Sequence, residues 1–161
     1  MYQNKKTYDI AVVCLNGHLI TNTLTSAPHE ATRFCSDCGE RNIAKCEHCG
    51  EPIRGATRVY MEGYTYQTPS FCHSCGHEFP WLTRKLEQAD RLVDLIENLT
   101  EEERSVYKSD IRELIKDTPK ATVAGISIKK LLIKTPQNIK DSLKDILVNV
   151  ASEAVNKMML G

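Results

Sequence analysis

No charge of either sign is in excess in this chain: Lys plus Arg and Asp plus Glu stand at 21 each over 161 residues, so the overall balance names no partner. No run approaches the ~18 uninterrupted apolar residues of a spanning helix, and none is expected. The first ten residues carry two lysines with no apolar region behind them, so a secretory signal is not expected and a reducing cytoplasm is. The chain has no phosphate-cradling glycine loop ending in Lys-Ser/Thr, no GxSxG elbow, no HExxH and no deaminase HxE…PCxxC. An enzyme is therefore not the expected reading. Residues 1–80 are also too poor in apolar side chains to build an independent core.

What that half does contain is cysteine. All seven cysteines of the chain lie there, and with one histidine they form four close pairs: Cys14/His18, Cys35/Cys38, Cys46/Cys49 and Cys72/Cys75. Eight ligands are the number that two tetrahedral zinc ions need, and soft thiolate suits Zn²⁺ at ~2.3 Å. An odd number of cysteines in a reducing setting argues against a disulfide framework. A thioredoxin-like redox centre needs one reactive pair in a βαβ context, which three CxxC pairs and a CxxxH pair do not fit. Two structural Zn²⁺ sites are expected, metal taking over the work of a core.

The economical pairing follows chain order: Cys14, His18, Cys35 and Cys38 in one site, Cys46, Cys49, Cys72 and Cys75 in the other. An interleaved arrangement, first pair with third and second with fourth, is the alternative. His18 is taken as a ligand because it stands where a paired ligand is missing. His77 is the nearest competitor for the second site, while His29, His48 and His73 are expected at the surface or behind the ligands.

Around the knuckles, Tyr8–Val13 reads as a strand entering Cys14, and His18–Leu24 as its antiparallel return. The spacers 19–34 and 50–71 each suit one β-hairpin, the second made of Ala56–Met61 and Tyr64–Gln67 around Glu62-Gly63. Gly39, Gly50 and Gly76 each follow a Cys where the turn needs positive φ. A knuckle–hairpin–knuckle unit thus occurs twice.

From Pro80 the texture turns helical. Leu82, Leu86, Ala89, Val93 and Ile96 recur at spacings of four and three, with Leu92, Leu95 and Leu99 widening the stripe. Thr100 with Glu103 predicts a capping box for a second helix to about Lys116, its inner face Ile111, Leu114 and Ile115. A third segment, Ala121–Lys134, carries Ile126, Ile128, Leu131, Leu132 and Ile133 among lysines. A fourth runs from Gln137 to Leu160 with Met158 and Met159 near its end. The fold class is therefore α+β: a double zinc ribbon over 1–80, then an all-α region over 81–161. Trp81 is expected to pack at their junction.

Charge is uneven once the chain is divided. The first eighty residues have seven basic and eight acidic side chains, and 118–161 have seven basic and three acidic. Two Zn²⁺ with seven thiolates take the ribbon half to about −4. That disfavours nucleic acid, whose phosphates need concentrated positive surface, although Tyr60, Tyr64, Tyr66 and Phe71 could stack bases. Nucleic-acid binding is kept as an alternative. Peripheral membrane association through the basic amphipathic helices is a further one. The preferred reading is an interaction or adaptor protein, whose helices self-associate or dock a protein partner; no small-molecule substrate is indicated.

The segments CLNGH (14–18), RFCSDCGE (33–40), KCEHCGEPIRG (45–55), PSFCHSCGHEFPWLTRKLE (69–87) and DILVNVASEA (145–154) resemble a bacterial family catalogued as domain of unknown function 2321. The resemblance implies zinc-ribbon motifs before a helical tail, the eight ligands named above and a bacterial cytosolic setting. It implies no activity.

Overall fold

The structure is a computed structural model that describes residues 8–57, 63–116, 118–152 and 156–157. The chain is α+β, with short antiparallel strands first and four helices after them. It divides into two compact units, Met1–Thr83 and Arg84–Gly161.

In the first unit β1 (Tyr8–Ile10) pairs antiparallel with β5 (Arg54–Thr57). After one residue, Ala11, the chain continues as β2 (Val12–Cys14), the centre of a second sheet flanked by β3 (Leu19–Thr21) and β4 (Asn42–Ile43). Ala11 is fully buried at the switch, and its N–H donates to the carbonyl of Ile53 at 2.9 Å. Only a small side chain fits between two backbones that close. Gly55 meets the same constraint: a Cβ there would stand 2.2 Å from the Asn22 carbonyl oxygen and 2.8 Å from the Ile10 carbonyl carbon. Val12, Val13, Ile43, Ile53, Phe79 and Trp81 are buried, a small core in which β-branched residues occupy the strands.

Among the described residues, the strands that fall in the two spacers, β3 and β5, pair with β2 and β1. Tyr64–Gln67 has no strand, and β5 takes β1 as its partner; residues 58–62 of that expected hairpin lie outside the described residues. Tyr66 instead reaches β5 by its side chain, its hydroxyl donating to the Arg54 carbonyl at 2.7 Å. The N-terminal apolar run supplies partners for three later strands.

Asp9 ties the 22–30 segment to this frame. Its buried carboxylate accepts from the N–H groups of Ile10 and Thr25, both at 2.7 Å, and from the Ser26 hydroxyl at 2.6 Å. Burial alone would raise its pKa; these donors, Ser26 foremost, lower it from 3.8 to about 2. Trp81 stacks on Phe79 at 4.7 Å, donates from Nε1 to the Pro69 carbonyl at 3.0 Å, and lies against Gly17. All three partners belong to the first unit.

In the second unit α1 (Pro80–Asp94), most of which lies beyond Thr83, buries Leu86, Ala89 and Val93, and Ile96 just past its end is buried too. Leu95 is 64% exposed, contrary to the wider stripe expected, because the helix has ended and Asn98 turns the chain at φ 62°. The carbonyls left over at that end are collected by one side chain: Arg104 donates to Val93, Asp94 and Ile96 at 2.9, 2.6 and 3.0 Å. The capping box of α2 (Glu101–Lys116) forms as expected, with Thr100 Oγ1 accepting from Glu103 N at 3.2 Å and Glu103 Oε2 from Thr100 N at 2.9 Å. Arg112 grips Asp90 with two bonds of 2.9 and 2.7 Å.

Helix α2 packs on α3 (Ala121–Lys134), whose buried face is Ala121, Ala124, Ile128, Leu131 and Leu132. Val123, Ile126 and Ile133 of α3 are 71, 50 and 73% exposed, so the apolar residues of this segment divide between a buried and a solvent-facing side. α4 (Gln137–Val150) stops short of the expected Leu160; its described terminus has Ala151 extended. There Asn156 Nδ2 donates to the Val148 carbonyl at 3.1 Å, taking up an acceptor that a continuing helix would use. Met158, Met159 and Leu160 lie outside the described residues. No helix among the described residues is long and apolar enough to cross a membrane.

Candidate metal centres

Three of the four ligand pairs stand on the same reverse turn. In each the first Cys N–H bonds the carbonyl five residues on (Cys35 to Glu40, Cys46 to Glu51, Cys72 to His77, all 2.8 Å). The glycine four residues on returns its N–H to that Cys carbonyl, and Gly39, Gly50 and Gly76 hold φ of 71, 77 and 74°. A side chain there would be strained by its own backbone. The Cys14/His18 turn is built differently, with Cys14 N bonded to the His18 carbonyl at 3.0 Å and Gly17 at φ 93°.

The structure brings Cys14, His18, Cys35 and Cys38 into one group and Cys46, Cys49, Cys72 and Cys75 into another, with ligand atoms in each within 4.8 Å of one another. The grouping follows chain order. No disulfide joins any of the seven sulfurs. Sulfurs of Cys14 and Cys38 lie 3.8 Å apart, Cys46 and Cys75 3.8 Å, Cys49 and Cys72 3.6 Å, and Cys35 Sγ stands 3.5 Å from His18 Nδ1. A regular tetrahedron with Zn–S of ~2.3 Å has S···S edges of ~3.8 Å, and with Zn–N of ~2.0 Å an S···N edge of ~3.5 Å. The donor set and its spacing fit such an ion.

Without a cation the sulfurs compete for charge. The Glu40 N–H and the Asn16 amide, 3.4 Å away, hold the Cys38 thiol down at about 6. Burial works to raise Cys72, but the N–H groups of Cys75 and Ser74 bring it to about 7. Cys75 accepts the N–H of His77, which works downward, yet withdrawal from solvent and the sulfurs of Cys49, Cys72 and Cys46 push it up to about 12. Burial likewise raises Cys14. Four thiolates so close cannot all ionise alone, and a bound divalent ion would release the remaining protons.

Two features lay beyond reach of the sequence. Asn16, in the first turn, aims its amide at a sulfur 22 residues on. The imidazoles of His48 and His77 stack at 3.4 Å with an interplanar angle of 15°, and both lie within 4.8 Å of Cys75 Sγ. Nothing in their spacing announces the pair; only the meeting of two knuckles creates it. His73 instead faces Glu51 at 3.6 Å.

Paired sulfur-rich tetrads on glycine-closed turns, followed by four helices, define an α+β protein of the metal-ribbon kind. The chain belongs to the family described as "Uncharacterized protein conserved in bacteria (DUF2321)", whose model matches residues 7–159. Neither the curated proteins nor the solved structures give a match.

Proposed function

We propose that this chain is a zinc-held interaction protein of the bacterial cytoplasm, without catalytic activity. The observation that carries the reading is closure: each tetrad supplies four protein ligands, so an ion held there has no position left for water or substrate. Sulfur-rich tetrahedral sets favour Zn²⁺ among divalent ions. Seven thiolates and one imidazole then stabilise a unit whose buried side chains are few. Structural zinc contributes ~10–16 kcal/mol in small zinc-binding peptides.

The contact surface is assigned to α3. A helix with one apolar face buries it and is finished, but α3 carries a second: Val123, Ile126 and Ile133 are exposed opposite its packed side. We assign that stripe to a protein surface, in the first instance a second copy of the chain.

The test combines metal counting with sedimentation. Native mass spectrometry of the purified protein should find two zinc ions per chain, and His18→Ala should lose one. Wild type should associate with rising concentration, and Ile126→Glu with Ile133→Glu should abolish association while keeping both ions. Fewer than two ions overturns the zinc reading; a wild-type monomer at every concentration overturns the assignment of α3.

A further inference from the structure

We propose that His48, His77 and Cys75 form a third metal site, accessory to the Cys46/Cys49/Cys72/Cys75 tetrad and sharing Cys75 with it as a bridging thiolate. The ligand would be a second borderline divalent ion such as Zn²⁺. The inference rests on the tetrad holding an ion.

Three arguments carry it. First, the donors already converge: His48, Cys75 and His77 offer ligand atoms within 4.8 Å of one another. Second, both imidazoles hang from backbone that the knuckles fix. His48 lies inside the turn whose Cys46 and Gly50 exchange a 2.8 Å bond, and His77 supplies the carbonyl that accepts from Cys72 at 2.8 Å. Neighbouring turns place other groups at the equivalent positions: Asp37 and Ser74 where His48 stands, Glu40 and Glu51 where His77 stands. Among the described residues, two imidazoles meet at this cluster. Third, a divalent ion among four thiolates leaves a net charge of −2, and a second cation on a shared sulfur neutralises it.

The site differs in kind from its neighbours. His48 and His77 are exposed and Cys75 is half-buried, and three ligands leave a fourth position for water or an exchanging group. To meet one ion the rings must splay from their 15° stack, a rotation about the bond to the ring that two exposed side chains are free to make. Such an ion binds more weakly than those in the tetrads and comes and goes with metal supply.

The experiment starts from protein carrying its two zinc ions after exhaustive dialysis. Zn²⁺ is then added back under equilibrium dialysis, and Co²⁺ in a parallel series read by visible absorption, with released zinc monitored. Wild type should take up a third equivalent, and a cobalt ion bound as that third equivalent should show sulfur-to-metal charge transfer without displacing zinc. H48A/H77A should keep the first two ions and lose the third, its dissociation constant rising beyond the ~10–100-fold that loss of an outer-shell partner brings. Imidazole ¹⁵N resonances of His48 and His77 in wild type should shift with the third zinc, a readout that does not depend on the variant's folding. A zinc count that stops at two, a third equivalent that survives in the variant, a cobalt spectrum without sulfur, or unshifted resonances each overturns the proposal. Protein that cannot keep its first two ions refutes the tetrad reading beneath it instead, so the two failures are told apart.

Discussion

Replacing Asp9 by Asn tests whether one buried carboxylate pins the N-terminal strand to the segment that follows β3. The aspartate is 4% exposed and accepts three hydrogen bonds of 2.6–2.7 Å, two of them from backbone N–H groups. Its pKa falls from 3.8 to about 2, and at ~1.4 kcal/mol per unit that difference is about 2 kcal/mol of folding stability. Because the folded value is the lower one, the contribution is complete above pH ~4 and disappears as pH drops through ~2. Asparagine keeps an oxygen for Ile10 and Thr25, and the Ser26 hydroxyl can turn to accept from the new amide. What is lost is the charge that makes these bonds strong. The variant should therefore be about 2 kcal/mol less stable at pH 7. The assay is urea unfolding at pH 7 with free zinc buffered at one fixed level, so that metal linkage is equal for both proteins. Carboxyl ¹³C titration of wild type supplies the independent value. A loss under ~0.5 kcal/mol, the usual scatter for surface substitutions, or an Asp9 midpoint near 4, would refute the reasoning.

Arg104→Ala should destabilise the helical unit by about 2–4 kcal/mol, since it strands three carbonyls that a charged donor now satisfies; thermal unfolding checks it, and Arg104→Lys should recover only part. Gly55→Ala should unfold or grossly loosen the first unit, because its Cβ has backbone atoms at 2.2 and 2.8 Å that cannot swing aside; amide exchange in β1 and β5 should rise while α2 and α3 keep their protection.

Legibility followed the range of the interactions. Each pair is confined to five residues or fewer, and the glycine that closes each CxxC turn stands at a fixed offset, so the membership of both four-residue clusters could be read from the text. The capping box at Thr100 and Glu103 is equally local and equally readable. Strand pairing was not, since β1 finds its partner more than forty residues away and any apolar run could have served. The same holds where the chain leaves a helix. Periodicity cannot foresee that Asn98 ends the α1 stripe before Leu95, or that Asn156 takes a carbonyl from the end of α4. The His48–His77 stack needs both knuckles in place before it exists.

Seven residues lie between Cys38 and Cys46, and two of them, Asn42 and Ile43, form the strand laid against Val13 and Cys14. The tether between the tetrads is thus itself a rung of the sheet that presents the first ligand. An ion in either cage holds one end of the same short strand, and fixing that end lowers the cost of closing the other cage. Under scarce metal the molecules should sort into fully loaded and wholly empty populations, with half-filled ones rare.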